Sequence, residues 1–289
     1  MRGLHVGLGL SLALVATAPD ARAQAPDLRL NARMTRSTVK IAGQGSVATG
    51  FVVTRPATPA DAANAGQDAP ASPSYLLVTA DHVLAQARGD EVTVFFHKAE
   101  PDGWYTKAPA RLAIRREGRA LWTKHPSADV AVIAVTPPID AQPPGVPDRL
   151  LATEEDLARL DVEAGDVVRC AGFPHPNQFD TGEAGFPVTR MGCIAGAPVR
   201  PATKVKSFLI DLNAFEGDSG GAVYLLDPAG SNGGGAGVVL GLVTGQQFID
   251  EEFRMTYQAG KFRHRMGLAI VAPAWAIREA IRKLDETRS

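Results

Sequence analysis

Gly217-Asp218-Ser219-Gly220-Gly221-Ala222-Val223-Tyr224-Leu225-Leu226 carries a serine, set between glycines, straight into an aliphatic and aromatic run. Glycines on both sides allow a tight loop that holds the hydroxyl exposed, with neighbouring backbone N–H groups converging near it. The run that follows is a strand by its period and flanks, so this serine precedes a strand and does not open a helix. Outward from it the period of two dominates. Ser37 to Ile41, Ala48 to Thr54, Tyr75 to Thr79, Glu91 to Phe96, Arg111 to Ile114 and Val130 to Val135 are short runs rich in Val, Ile, Thr and aromatics, bounded by Gly, Pro or Asp. Val167 to Ala171, Pro187 to Ile194, Lys206 to Asp211, Gly221 to Leu225, Val238 to Val243 and Met266 to Ile270 form a second set. Between the sets, Pro137-Pro138, Pro143-Pro144 and Pro147 remove backbone donors and discourage a sheet. The pattern predicts an all-β chain of two antiparallel six-stranded β-barrels, the first over 37–145 and the second over 146–272.

The remaining segments are punctuation or caps. Residues 55–73, rich in Ala, Pro, Asp and Ser, read as a flexible hairpin tip, and Gly230 to Gly237 reads as a second tip. The glycine-rich tip is no phosphate loop, because no Lys-Ser/Thr follows it and no helix opens there. Over 273–289 the period changes: Pro273 suits a first helical position, and Ile277, Ile281 and Leu284 make an apolar stripe opposite Arg278, Arg282 and Lys283. A C-terminal α-helix packed on a barrel is expected.

At the other end, Met1-Arg2, an apolar run from Val6 to Ala18 and Ala21-Arg22-Ala23 read as a secretory signal peptide over 1–23, cut after Ala23. The mature chain then starts at Gln24, with 24–36 as an N-terminal segment, and is expected in the periplasm or outside the cell. Export implies an oxidising compartment, so Cys170 and Cys193 are expected to form a disulfide worth on the order of 3 kcal/mol in the chain-entropy model. Two cysteines are too few for a zinc cluster. With 30 Lys+Arg against 31 Asp+Glu and a net charge of −1, the 289-residue chain has no basic footprint for nucleic acid. No later segment is long and apolar enough for membrane insertion. A hydrophobic share of 45% also excludes general disorder.

Chemistry at Ser219 needs a base and an acid. Among the six histidines, His5 leaves with the signal, and His97, His125, His175 and His264 lie in mixed polar surroundings. His82 is best placed, where the apolar strand Leu77-Val78-Thr79-Ala80 ends. Asp129 stands at the lip of the apolar run Val130-Ala131-Val132-Ile133, where burial is costly unless a partner such as an imidazole N–H satisfies it.

In that order His82, Asp129 and Ser219, within Thr79-Ala80-Asp81-His82, Asp129-Val130-Ala131-Val132 and Gly217-Asp218-Ser219-Gly220-Gly221, resemble the trypsin/chymotrypsin-like serine proteases. Within them the chain is similar to the bacterial exported branch that includes the HtrA protease domain. Ala48-Thr49-Gly50-Phe51-Val52-Val53, Gly172-Phe173-Pro174 and Gly267-Leu268-Ala269-Ile270 extend the resemblance over most of the chain. It implies two perpendicular barrels with the site between them. It also implies Ser219 as nucleophile, His82 as general base, Asp129 as its orienter, and the N–H groups of Gly217 and Ser219 as oxyanion hole. A polypeptide substrate is implied, with no metal and no cofactor.

By alignment to the nucleophile box, Asn213 lies at the base of the substrate pocket and Thr244-Gly245-Gln246 form its wall. An asparagine there predicts small, apolar or neutral polar specificity, since a basic side chain would call for Asp. In the digestive enzymes a newly cut N-terminus pairs with the residue that is Asp218 here. Lys40-Ile41-Ala42-Gly43 looks faintly like that activation site, but Ile41 reads as strand interior, so the partner of Asp218 stays open between an arginine and a backbone turn. No PDZ domain is expected after the helix.

Two rivals belong to other classes. An α/β-hydrolase would use Gly217-Asp218-Ser219-Gly220-Gly221 as its G-x-S-x-G, with Asp250 and His264 following in order, but needs a helix after the serine. A catalytically silent protease-fold binding protein would predict a broken triad, and here all three members are present; a latent one would hold an intact triad in an inactive geometry.

Overall fold

The computed structural model describes residues 29–56, 74–175, 181–196, 198–227 and 237–288. Residues 1–23, expected as a signal peptide, most of the 55–73 insertion and most of the second glycine-rich tip lie outside these residues. In chain order, helix α1 (Leu30–Ser37) leads into β1 (Thr38–Gly43), β2 (Ser46–Arg55) and β3 (Ser74–Thr79). Helix α2 (Asp81–Gln86) follows, then β4 (Glu91–Ala99), β5 (Tyr105–Ala113), β6 (Arg115–Arg116), β7 (Arg119–Ala120), β8 (Thr123–Lys124), β9 (Ala131–Ala134) and β10 (Val146–Pro147). The second half holds α3 (Glu154–Arg159), β11 (Val167–Gly172), β12 (Val188–Ile194), β13 (Phe208–Asp211), β14 (Ala222–Leu226), β15 (Gly237–Met255), β16 (Gln258–Pro273) and α4 (Ala274–Arg288).

Every run of the two expected sets falls on a strand, and the all-β class with a C-terminal helix stands. The second set closes into a barrel, ordered β11-β12-β13-β16-β15-β14. The first set runs within an eight-stranded sheet, ordered β5-β4-β1-β2-β3-β9-β8, with β10 pairing β2 in parallel. Its margins have a chemical reason. Pro109 interrupts the donors of β5, and β8 is a two-residue strand, so neither offers a full ladder to the other.

Alternation sets the packing. Phe51 and Val53 of β2 join Leu76, Val78, Val132 and the interior of the second barrel in one buried cluster. Val52 and Leu77 face the other way, toward Val39, Ile41, Val94 and Phe96. Ile41 is strand interior, 2% exposed within β1. Helix α4 buries Ile277, Ile281 and Leu284 as its spacing predicts, together with Ala276 and Ala280. No described helix is long and apolar enough to cross a membrane.

The expected disulfide is absent: both thiols are free. Cys170 pairs with Arg190 and Cys193 with Val167 in the antiparallel ladder of β11 and β12. Three positions of offset put the two side chains on opposite faces of the sheet, roughly 10 Å apart along the strands, beyond the reach of an S–S bond. Burial, and secondarily the Asp218 carboxylate, push the Cys170 thiol up to about 12, so it is an inert core group.

Helix α1 was not legible as periodicity. It buries Leu30 and Met34, and Tyr224 donates to Asn31 across 3.0 Å. Strands β15 and β16 continue far beyond the barrel as a two-stranded ribbon, from Phe248 paired with Arg265 to Met255 paired with Gln258.

Candidate active site

Strand β3 delivers His82, the expected base. It ends at the buried Thr79, the buried Ala80 caps α2, and His82 falls in the first turn of that helix. Asp129, the expected acid, comes from the connection between β8 and β9. There His125 N–H donates to Val130 C=O and Val130 N–H to Ala128 C=O, a γ-turn with Asp129 at its centre. Asp129 is met twice by one residue: His82 N–H donates to Oδ1 at 2.9 Å, and His82 Nδ1 lies 2.6 Å from Oδ2. Burial pulls the Asp129 carboxyl upward, but the ring and backbone of His82, with the backbone of Asp81, outweigh it and hold the group below its usual value. Binding at Nδ1 fixes the tautomer and leaves Nε2 free to take a proton.

Ser219 sits half-buried on a loop pinned from both sides. Asp218 N–H donates to Phe215 C=O at 3.0 Å and Gly217 has φ 97°, a type II turn that requires glycine at this position. His175 N–H donates to Glu216 C=O at 2.8 Å. A trans peptide directs its two polar groups oppositely, so the Gly217 N–H is turned away from His175. Among the described residues neither the Gly217 N–H nor the Ser219 N–H meets an acceptor. Both donors stay available, as an oxyanion hole requires.

Thr49 joins the loop to the first sheet. Its N–H donates to Ser219 C=O at 3.0 Å and its hydroxyl to Gly217 C=O at 2.6 Å, while Phe173 N–H donates to that hydroxyl. Thr79 Oγ1 donates to Thr49 C=O at 2.7 Å, so the strand carrying His82 and the loop carrying Ser219 meet on one buried threonine. Gly220, at φ 88°, makes the approach possible: a Cβ there would lie 2.0 Å from Thr49 C=O.

The partner of Asp218 is Arg190. The carboxylate is fully buried, and Arg190 Nη2 lies 2.6 Å from Oδ1, while Nη1 donates to Asn213 C=O at 2.7 Å. Burial raises the Asp218 carboxyl and Arg190 pulls it back. Gly172 makes room, since a Cβ there would come within 2.8 Å of Asp218 Oδ1. Sequence reasoning left an arginine open as this partner; which arginine emerges only from the register of β11 and β12, which sets Arg190 opposite Cys170.

Asn213 is exposed and lies beside Gly267 of β16, with Thr244, Gly245 and Gln246 one strand further on β15, half-exposed and flanked by two register shifts. Asp250 and His264 do not join the triad. They lie on the ribbon, Asp250 held down to about 2 by Arg263, with Lys261 adding to it, and His264 3.2 Å from Glu251. Ser219 is followed by β14, which removes the α/β-hydrolase reading.

No family model and no curated protein matches the chain. Among solved structures, the Rv3671c protease in an inactive form matches with 20% identity and a TM-score of 0.46, over 88% of this chain and 91% of that one. A serine-to-alanine mutant of Rv3671c from M. tuberculosis H37Rv, also inactive, matches with the same identity and score over 92% and 96%.

Proposed function

We propose that this chain is an exported serine endopeptidase of the trypsin/chymotrypsin-like class, acting through an acyl-enzyme on Ser219. The observation that carries the reading is the pairing of His82 with Asp129 beside a serine loop whose type II turn leaves two N–H donors free. In the reaction Ser219 Oγ attacks the peptide carbonyl carbon as His82 Nε2 takes the hydroxyl proton. The carbonyl oxygen becomes an oxyanion held by the N–H groups of Gly217 and Ser219. Collapse breaks the C–N bond, and the same proton passes from His82 to the leaving amine. Water then repeats the sequence and releases the acid. Asp129 keeps the imidazole oriented and stabilises its charged form.

The Arg190 partner of Asp218 supports an enzyme competent without a new N-terminus at Ile41. Asn213 at the pocket base supports a neutral or small side chain before the scissile bond. Cleavage after Ala23 delivers the chain from Gln24 to the periplasm or outside the cell.

The test exposes a complex peptide library to the protein from Gln24 and to its Ser219→Ala variant, with cleavage sites read by mass spectrometry. Cuts by the intact protein alone, after neutral residues, are expected, with equal thermal melting of the two proteins. Equal cutting by both would overturn the assignment. No cutting by either would leave a latent protease or a protease-fold binding protein.

A further inference from the structure

His125 is buried, 4% exposed, in the connection that presents Asp129, and the triad does not use it. Its Nδ1 faces two backbone donors of its own loop: Ser127 N–H at 3.2 Å and Ala128 N–H at 2.9 Å. A ring nitrogen that accepts from N–H groups carries no proton, so Nδ1 is the acceptor and the neutral ring holds its hydrogen on Nε2. Nε2 lies 3.3 Å from Oε2 of Glu279 on the C-terminal helix without a hydrogen bond to it, and the ring meets Trp275 edge-on at 5.1 Å. Trp275 is itself anchored, its Nε1 donating to Val205 C=O.

This arrangement has a chemical logic. An acceptor two bonds beyond Cβ that gathers the N–H groups two and three residues ahead does what an Asn or Asp side chain does in an Asx-turn. The gathered residues are those immediately before Asp129, and the loop is closed by the His125 to Val130 backbone bond. The two oxygens of Asp129 reach His82 Nδ1 and His82 N–H from the γ-turn inside this closed loop.

We propose that His125 is a positioning residue for the candidate triad: its Nδ1 shapes the 125–130 turn that aims Asp129 at His82, and α4 holds the imidazole in place through the Trp275 ring, with the Glu279 carboxylate near Nε2. The C-terminal helix thereby sets the geometry of the acid. The kinetic part of this inference rests on the peptidase reading, and the structural part does not.

Two polar replacements separate the roles. His125→Asn keeps an acceptor at the position of Nδ1 and gives up the contact with Glu279; His125→Gln keeps a polar group near Glu279 and gives up the acceptor. The signature is the low-field proton resonance of the His82 to Asp129 hydrogen bond, recorded without substrate. His125→Asn is expected to retain it, and His125→Gln to lose it. In peptide cleavage His125→Gln is expected to lower kcat at least ~10-fold with KM within ~2-fold, and His125→Asn to recover most of that loss, since orientation acts on the chemical step. Equal resonance and equal kcat in the two variants, or loss in a folded His125→Asn, would overturn the proposal. If His125→Gln does not fold, the resonance of His125→Asn decides alone. Wild-type protein that shows the resonance and cuts no peptide would refute the peptidase reading and leave the resonance test of His125 intact.

Discussion

Asp218 and Arg190 carry opposite charges into the barrel wall, one wholly buried and the other 20% exposed. Two charges taken from water repay the cost only as a pair, and removing one leaves the other uncompensated. Arg190→Met is therefore expected to lower unfolding free energy by ~3–5 kcal/mol, read from urea denaturation. It is also expected to lower kcat, because the turn after Phe215 depends on Asp218, whose carboxylate accepts from Phe215 N–H at 2.7 Å. Asp129 offers a pH test. Its carboxyl is held below the ordinary value, so its contribution to stability is complete above the unfolded carboxylate range and is lost as pH falls through the lowered folded value. The difference in urea midpoint between wild type and Asp129→Asn is expected to be largest near neutrality and to shrink below about pH 4. A difference constant down to pH 2 would contradict the assigned direction. At this scale the histidine and aspartate were legible because each ends or opens an apolar run, where a polar side chain needs a reason. Arg190 was not singled out, because an arginine inside an alternating strand looks like any solvent-facing position.

The elements followed the alternation closely, and their departures have local causes. Each run of β-branched and aromatic residues became a strand, while the stretch from Thr244 to Arg265 was invisible to the same rule. Charged residues occupy both strands there, so nothing in the period marks it as sheet. The ribbon is held instead by cross-strand partners: Asp250 with Arg263 at 2.8 Å, Lys261 near Asp250, and Arg263 over the Phe248 ring. Phe253 packs over the bare backbone of Gly260 and stacks on Phe262 at 5.0 Å. From Phe248 to Met255 and from Gln258 to Arg265 these strands pair only with each other among the described residues. Isolated two-stranded ribbons are marginal in water. Amide hydrogen exchange is therefore expected to be fastest in these two stretches and slowest in β11, β14 and the first half of β15. Protection of the ribbon equal to that of the barrel would mean that it is covered in solution.

At the scale of the molecule, two structures built by separate alternations meet on a few polar contacts. Thr49, fully buried in β2, accepts from Phe173 N–H and donates to Gly217 C=O, joining the first sheet to the Ser219 loop of the second. His97 of β4 bridges similarly, its ring nitrogens 3.0 Å from Thr38 C=O and 3.1 Å from Ala184 C=O. Thr49→Val keeps the shape and orphans a donor and an acceptor. A loss of ~1–3 kcal/mol is expected, read from urea denaturation, with kcat falling more than KM changes. An unchanged midpoint and rate would place the connection elsewhere. What the sequence by itself determined is whatever depends on neighbours along the chain: strand positions, the helical stripe of Ile277, Ile281 and Leu284, and the three polar residues in their boxes. Only tertiary structure decided what depends on register and on packing between distant segments. The offset of β11 against β12 parted Cys170 from Cys193 and set Arg190 opposite Cys170, within reach of Asp218. The first sheet ended at Pro109 and at a two-residue strand, and α4 came to rest against the loop of Asp129. A one-residue slip in a strand reverses every face, so contacts of that kind cannot be read from periodicity alone.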